Sequence, residues 1–200
     1  MRVIEALQKR RAVKGFDPNH RMPDETRRLL LEAATLTPSA FNIQHWRLLE
    51  VRDPEQRREI RKVAWDQPQV TDASLLLVLC ADLDAWRDRP IRYWDQAPQA
   101  RQEAIVAKLG EYYRDRPQVQ RDEAMRSLGL FGMALMLAAQ DLGYDSCPMD
   151  GFDFEAVAKL IRLPAHYAIG FMVAIGKGAG QPSWPRQRLP ISTLMTVDRF

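Results

Sequence analysis

The chain has 200 residues, of which 46% are hydrophobic, and its 29 lysines and arginines nearly balance 26 acidic residues, for a net charge of +3. This length and composition suffice for one ordinary hydrophobic core, so we expect a single domain over residues 1–200. The near balance of charge predicts neither a nucleic-acid partner nor a membrane-surface role.

No segment has the pattern of a membrane span or a secretion signal. The longest uncharged apolar run, residues 128–139, is shorter than the roughly 20 residues that a spanning helix needs. The N-terminal segment lacks the apolar block of a signal peptide. We therefore expect a cytoplasmic protein.

Apolar spacing and turn residues predict alternating helices and strands in the first half of the chain. The continuous apolar run 73–81 is typical of a central strand that is covered on both faces. In chain order, the predicted elements are a short helix from Val3 into the basic Lys9-Arg10-Arg11, a helix from Pro23 that stops before Pro38, a strand at 47–51, a helix from Asp53 to about Trp65 and the strand at 73–81.

The second half begins with a polar section, residues 82–117, that is charged enough to lie outside the core. It contains a predicted helix at about 98–113 and several aromatic residues, four of which either form a lid over a binding site or only pack this helix. Those aromatics are Trp86, Trp94, Tyr112 and Tyr113. The elements predicted after it are a long helix at 119–142, a helix at 154–162, a strand at 167–175 and a Pro-rich tail at 177–200.

The long helix and the tail both raise the question of a second subunit. The centre of the helix is apolar on every side, which predicts full burial, and Gly129 and Gly132 either relieve crowding within the chain or allow close approach of another subunit. The tail carries apolar residues with no domain of its own to cover them. It must wrap a second subunit or fold back on its own core.

The cysteines and histidines give no sign of a metal or disulfide site. Cys80 and Cys147 lie far apart in sequence, and we expect a buried core thiol and a loop thiol. The three histidines lack ligand spacing. His45 either borders an active site or, as such loop positions more often do, has a structural role at the entry of a strand.

The stretch 38–46, PSAFNIQHW, concentrates polar side chains before a strand. A surface turn requires Pro, Ser and Asn for its geometry, but it does not require Gln, His and Trp directly behind them. This composition predicts a surface that faces a flat molecule with polar edges.

Basic residues occur in two clusters near the two ends of the chain. Each arginine alone is more often a solvated charge than a ligand. Because both clusters lie beside proline or turn residues, together they predict an anion pocket, and forked arginine donors suit a phosphate monoester. These residues are Arg10, Arg11, Lys14, Arg186 and Arg188.

Four segments together resemble the FMN-dependent nitroreductase family, in the right order over nearly the whole chain. They are RRAVKGF at 10–16, PSAFNIQHW at 38–46, AAQDLGYDSCPMDGFD at the end of the long helix, and PRQRLP at 185–190. The resemblance implies an α+β fold with a mixed, mostly antiparallel sheet flanked by helices. It also implies an intertwined homodimer with C-terminal tail exchange and two FMN groups at the subunit interface.

The resemblance also implies roles for individual residues. Arg10 and Arg188 would bind the FMN phosphate, with Arg186 where the family usually has Lys and Arg11 beside them, and Lys14 would lie near the N1/O2 edge of the flavin ring. From the other subunit, Pro38, Ser39, Ala40 and Asn42 would approach the flavin, and Gln44 would fix their loop. Met149, Asp150 and Gly151 would pass beside flavin N5, where Gly allows close approach.

Some positions depart from the family pattern. Ala12 replaces a frequent Ser, Asp66 stands where relatives place an Asn, and Ser127 replaces a larger amide. Gln69 is a tolerable substitute on the pyrimidine edge of the flavin. The side chain of Asp150 either contacts substrate or serves only as a turn residue.

The expected activity is electron transfer from NADH or NADPH through FMN to quinones, nitroaromatics or related small acceptors in a ping-pong cycle. No catalytic acid or nucleophile is required, because the flavin carries the chemistry and the protein supplies orientation. Two alternatives stay open. One is a specialised flavin enzyme for reductive dehalogenation or flavin fragmentation, and the other is a flavin-binding dimer with little turnover.

Overall fold

The computed structural model describes residues 2–180 and 185–200, and it places helices on both faces of an antiparallel sheet. The helices are α1 Val3–Lys9, α2 Asp24–Thr35, α3 Pro54–Lys62, α4 Gln69–Asp72, α5 Gln99–Tyr113, α6 Pro117–Asp141, α7 Phe154–Leu160 and α8 Ile191–Leu194. The strands are β1 Trp46–Glu50, β2 Leu75–Asp82, β3 Asp145–Met149 and β4 Tyr167–Gly176. Among the described helices, none is long and apolar enough to cross a membrane.

The sheet has the order β1-β2-β4-β3 within the described residues, and each of its three pairings is antiparallel. The parallel part of the expected mixed sheet is one isolated bridge between Ala12 and Ser146. Since β1 and β3 are the edge strands, the segments next to them lie on opposite sides of the subunit.

Strand β2 is buried along its whole length, as its continuous apolar sequence predicts. Leu75, Leu77 and Leu79 face a core that contains side chains of α2 and α6. Leu76 and Val78 face a second core with side chains of α3 and α7. The alternation of side chains along a strand therefore divides the interior into two apolar layers.

Two short helices, α3 and α7, begin at aspartate N-caps. The side chain of Asp53 accepts hydrogen bonds from the backbone N–H groups of Glu55 and Gln56, at 3.3 and 3.0 Å, and Pro54 occupies the first helical turn. Asp153 caps α7 in the same way through the N–H of Ala156 at 2.9 Å. These bonds satisfy backbone donors that have no partner within the helix.

Several predicted boundaries differ from the structure. Helix α3 ends at Lys62 rather than near Trp65, because Trp65 and Asp66 both adopt left-handed backbone angles, with φ of 54° and 51°. Strand β3 was not predicted, since its sequence DSCPM has the composition of a turn. Cys147 therefore lies in a buried strand rather than in a loop, whereas Cys80 is buried in β2 as expected.

The polar section 82–117 has a small core of its own. Trp86, Leu109 and Tyr113 are buried there together with Ile43 from the loop before β1. The indole of Trp86 stacks on Tyr113 with the ring centres 5.8 Å apart. Trp86 and Tyr113 thus pack this region, while Tyr112 remains partly exposed.

The two glycines of α6 have different surroundings. A Cβ atom at Gly132 would lie 2.3 Å from Cζ of Phe171, whereas a Cβ at Gly129 would have no neighbour within 4 Å among the described residues. Gly129 and Leu130, which is 51% exposed, form an outward side of the helix, so the expectation of burial on every side is wrong for a single chain. Gly132 relieves crowding within the chain, and Gly129 is free to face another subunit.

The fold predicts that Gly132→Ala destabilises the protein. The added methyl group collides with the Phe171 ring, and such overpacking costs about 1–3 kcal/mol of unfolding free energy. Urea unfolding at fixed protein concentration measures this loss. The double variant Gly132→Ala with Phe171→Leu should recover part of the stability, because the shorter side chain vacates the contact. Purely additive losses in that double-mutant cycle would contradict the assigned contact.

His45 is buried against Ser127 of α6, which favours its structural role. Its side chain is 1% exposed, and Nδ1 lies 3.1 Å from Oγ of Ser127. Burial, with a smaller contribution from the charge of Arg47, lowers the pKa of His45 from 6.5 to about 4. The folded protein therefore keeps this imidazole neutral at pH values where an unfolded chain protonates it.

This burial predicts a loss of stability in mild acid. Between pH 6.5 and 4 the unfolded state binds the extra proton, so the unfolding free energy falls as the pH falls. The contribution of His45 at pH 5 is a loss of about 2 kcal/mol relative to pH 7.5. Urea unfolding at both pH values should show a shallower pH dependence for His45→Gln. An identical pH dependence in the two proteins would contradict the buried neutral state.

Candidate functional site

Arginines from both ends of the chain meet beside the C-terminal end of α1. Nη1 of Arg186 donates to the carbonyl oxygen of Leu7 at 2.7 Å, and Nη2 donates to the carbonyl of Arg10. Burial lowers the pKa of the Arg10 guanidinium, and the charges of Arg186, Arg188 and Arg11 lower it further. We call these four arginines the basic cluster.

The basic cluster lacks the partners that normally neutralise arginine. None of its members forms an ion pair with a carboxylate in residues 2–180 and 185–200. Nε of Arg10 is buried and has no hydrogen-bond partner in that part of the chain. Because a buried unsatisfied donor is costly and forked guanidinium groups match phosphate oxygens, the cluster fits a phosphate group.

Lys14 lies next to the basic cluster because its segment runs along β3, an edge strand of the sheet. The N–H of Val13 donates to the carbonyl of Ser146 at 3.1 Å, which lays the segment after Ala12 along β3. Lys14 and Arg10 both lie close enough to Cys147 for their charges to act on its thiol. Burial outweighs these charges and raises the pKa of Cys147, so its thiol stays protonated at neutral pH.

Two glutamines continue the site from Cys147 towards the end of β3. Nε2 of Gln69 lies 3.9 Å from Sγ of Cys147 and donates to Oε1 of Gln67 at 2.9 Å. Gln67 in turn donates to the carbonyl of Gly151 at 2.9 Å. Gln69 is completely buried, yet its Oε1 has no partner among the described residues. This oxygen is therefore a buried acceptor whose hydrogen-bonding capacity the described residues leave unsatisfied.

Gln67 is a residue of the site that was not predicted from the sequence. The signal was the pattern Gln-Pro-Gln at 67–69, in which the residues on either side of Pro68 can share one surface. Asp66, by contrast, turns away to pair with Nε of Arg61 at 2.7 Å, and its side chain is 85% exposed. The Asp66 carboxylate therefore points away from Gln67 and Gln69, and only the two amides contribute to this part of the site.

The segment Met149–Gly151 forms the far end of this line of contacts. Met149 and Gly151 are buried, whereas Asp150 is exposed. A Cβ atom on Gly151 would lie 2.5 Å from Cζ3 of Trp65, so only glycine allows the indole to lie where it does. We call the row of residues Lys14, Gln67, Gln69 and Met149–Gly151 beside β3 the polar groove, and Gln69, Met149 and Gly151 are buried in it.

Loop 38–44 holds its polar groups by internal hydrogen bonds. Oγ of Ser39 accepts from the N–H of Gln44 at 2.9 Å, and Nε2 of Gln44 donates to Oδ1 of Asn42 at 3.2 Å. Phe41, Asn42 and Gln44 have left-handed backbone angles, with φ of 52°, 56° and 55°. Such conformations are costly for residues other than glycine and concentrate at functional sites. Pro38 and Ala40 complete the loop.

The polar groove and loop 38–44 lie at opposite edges of the sheet. The groove adjoins β3 and the loop precedes β1, with β2 and β4 between them. Three strand spacings separate the two edge strands by about 14 Å. The structure therefore divides the residues predicted for one site into two groups that do not meet within one chain.

The chemistry available in the polar groove is binding and orientation. In the described part of the chain, no group of three or more potential metal ligands comes together. The thiol of Cys147 is protonated, and the groove contains amides, a lysine, the exposed carboxylate of Asp150 and backbone groups. Such a surface can hold a flat, polar-edged molecule whose phosphate lies in the basic cluster.

Comparison with known proteins gives a consistent set of relatives. The model of the Nitroreductase family matches residues 7–177. Protein DrgA of Synechocystis is 47% identical, with 100% of this chain and 97% of DrgA covered. A Thermus thermophilus protein named NADH dehydrogenase is 36% identical, with 95% of this chain and 93% of that protein covered.

A solved structure of an Exiguobacterium sibiricum protein in complex with FMN is similar over the whole fold. Its TM-score is 0.89 at 28% identity, and the match covers 98% of this chain and 97% of that chain.

Proposed function

Since this chain belongs to the nitroreductase family, we propose that it transfers electrons from NADH or NADPH to quinones, nitroaromatics or related small acceptors. It does so as an FMN-dependent oxidoreductase in a ping-pong cycle. The flavin and the pyridine nucleotide are supported by the family, by a similar protein solved with FMN and by a relative named NADH dehydrogenase.

The observation that carries this proposal is the unneutralised basic cluster. Arg10, Arg186 and Arg188 bring like charges together, and the buried Nε of Arg10 lacks a partner among the described residues. A phosphate would remove both defects, because it supplies negative charge and acceptor oxygens at once. FMN is a phosphate monoester with a flat, polar-edged ring, so the cluster and the polar groove fit its two parts.

Each groove residue then has a defined task. Lys14 provides positive charge beside the ring edge where reduction collects negative charge, and it stands there without needing to move a proton. Oε1 of Gln69 would accept from a ring N–H, while Gln67 is hydrogen-bonded to both Gln69 and the carbonyl of Gly151. Gly151 keeps the backbone close to the ring because it has no side chain.

When bound, FMN supplies the redox chemistry by taking up a hydride equivalent and passing it to the acceptor. The protein contributes position and electrostatics rather than an acid or a nucleophile. The exposed Asp150 carboxylate is consistent with this division of labour. Donor and acceptor would use the same space in turn, which would give the proposed ping-pong order.

We also propose that the protein works as a homodimer with shared sites. Apolar side chains of α1, α6 and the C-terminal tail are exposed in the single chain, more than an isolated subunit normally leaves uncovered. They include Val3, Ile4, Leu130, Ile191, Leu194 and Met195. The outer edge of β1 is unpaired within the described residues, so a partner's tail can pair with it.

A dimer would also bring the two separated groups together. Loop 38–44 of one subunit would face the polar groove of the other, which no arrangement within one chain achieves. Of the proposed tail, 177–200, residues 181–184 lie outside the described part of the structure. Residues 185–200 are mostly exposed, which is consistent with a segment that is covered by a partner.

Flavin reduction and reoxidation test the proposed activity. Purified protein should be yellow, NADH or NADPH should bleach it without oxygen, and menadione should restore the colour. A bound flavin that neither nucleotide bleaches would refute the oxidoreductase proposal and favour a binding protein. Bleaching without reoxidation by quinones or nitroaromatics would favour a specialised acceptor.

The phosphate assignment predicts that Arg188→Ala loses FMN. Loss of one charge-assisted contact to a phosphate should weaken FMN binding by about 10- to 100-fold. Riboflavin, which has no phosphate, should bind the variant and the parent protein with equal affinity. Equilibrium dialysis with both ligands measures this difference. Unchanged FMN affinity in Arg188→Ala would remove Arg188 from the phosphate site.

The shared site predicts complementation between two defective variants. Arg188→Ala damages the basic cluster, and Ser39→Ala with Asn42→Ala damages the loop. In a mixture of co-expressed chains, half of the dimers are mixed, and each of these has one site with two intact halves, so about one quarter of all sites should recover. FMN content after gel filtration and menadione reduction measure the recovery. Lack of recovery in isolated mixed dimers would place each site within one chain.

A further inference from the structure

Trp65 is an exposed aromatic residue whose position the fold does not require for its own core. Its side chain is 78% exposed, and it lies three residues beyond the end of helix α3 at Lys62. The backbone at Trp65 and Asp66 is left-handed at both residues, with φ of 54° and 51°. Backbone strain of this kind costs on the order of 1–3 kcal/mol per residue, and it persists only where surrounding contacts impose it.

Several contacts impose the turn. Nε of Arg61 pairs with Asp66 at 2.7 Å, and the N–H of Asp66 donates to the carbonyl of Arg61 at 3.2 Å. The N–H of Asp153 donates to the carbonyl of Val63 at 2.9 Å, which fastens the neighbouring turn to the end of α3. The chain therefore fixes an indole at the surface instead of burying it.

The place at which the indole is fixed adjoins the polar groove. The six-membered ring of Trp65 lies over Gly151, where a Cβ atom would be 2.5 Å from Cζ3, and the carbonyl of Gly151 accepts from Gln67. The contacts run from Cys147, near the basic cluster, through Gln69 and Gln67 to Gly151. Gly151 therefore lies at the end of the polar groove opposite the cluster. A ligand with its phosphate in the cluster would thus direct its other end towards Trp65.

We propose that Trp65 is a wall of the acceptor subsite and favours flat, conjugated acceptors over compact ones. This inference rests on the proposed function and specifies the residue that selects its substrates. A flat π-system placed beside an indole gains about 0.5–1.5 kcal/mol beyond the burial of its area. Trp65 does not contact the reacting atoms. It contributes only to the binding of the acceptor.

The first test measures binding without turnover. The oxidised, FMN-loaded protein is titrated with menadione, and the change of flavin absorbance gives the dissociation constant. Trp65→Ala should weaken menadione binding about 10-fold, since it loses both the aromatic contact and buried area. Trp65→Phe should stay within about threefold of the parent protein. Leu160→Ala, a surface change on α7, should leave the constant unchanged.

The second test separates shape selection from a general loss of reactivity. The FMN-loaded proteins are reduced with dithionite, and reoxidation is followed with menadione and with ferricyanide, a compact octahedral acceptor. Trp65→Ala should slow the reaction with low concentrations of menadione about 10-fold and leave the rate with ferricyanide unchanged. Because dithionite replaces NADH and NADPH, failure of the nucleotide reaction leaves this test intact.

Four results would overturn the inference. Wild-type affinity for menadione in Trp65→Ala would show that the indole does not line the subsite. An equal slowing with menadione and ferricyanide would exclude selection by shape. Loss of FMN or of the dimer in Trp65→Ala would assign the indole to assembly, and a protein that is colourless with excess FMN would overturn this inference and the proposed function together.

Discussion

The site depends on three guanidinium groups of like charge that are held together without a carboxylate partner in the described residues. Arg10, Arg186 and Arg188 come from the two ends of the chain, and Arg186 is held there by backbone carbonyls of α1 rather than by opposite charge. Their mutual repulsion, together with the buried and unpartnered Nε of Arg10, is a cost that a bound phosphate would offset. The remainder of the site extends from this anchor along β3.

A second feature of the site is that its polar groups are held in place by hydrogen bonds to other groups of the protein. The amides of Gln67 and Gln69 are connected to each other and to Gly151, and Ser39 and Gln44 hold loop 38–44. Strained, left-handed backbone angles occur in this loop and again at Trp65, which lies next to Gly151 of the polar groove. Groups that are already oriented lose little conformational freedom on binding, which suits a protein whose contribution to catalysis is placement.

The sheet order explains why the proposed site would need two subunits. An order of β1-β2-β4-β3 puts the loop before β1 and the groove beside β3 at opposite edges, while the apolar outer side of α6 remains uncovered near Gly129 and Leu130. A two-fold axis would bring the loop of each subunit to the groove of the other, so two sites would form from one repeated contact. The exposed tail would supply further buried area to the same assembly.

The sequence by itself determined the elements whose pattern is continuous. The apolar run that became β2, the aspartate caps of α3 and α7, and the long apolar helix α6 all follow from local chemistry and periodicity. The residues that carry the family resemblance also identified most of the basic cluster and the groove. These features are readable because each depends on residues that are close in sequence.

Only the tertiary structure decided which distant groups meet. Strand β3 has the composition of a turn and becomes a strand because β4 pairs with it, and Gln67 enters the groove because the carbonyl of Gly151 accepts its hydrogen bond. The structure likewise turned Asp66 away through Arg61, buried His45 against Ser127, and assigned Gly132 to a contact with Phe171. Each outcome depends on a partner many residues away, or on a backbone angle that local propensity disfavours, and local sequence patterns do not encode such contacts.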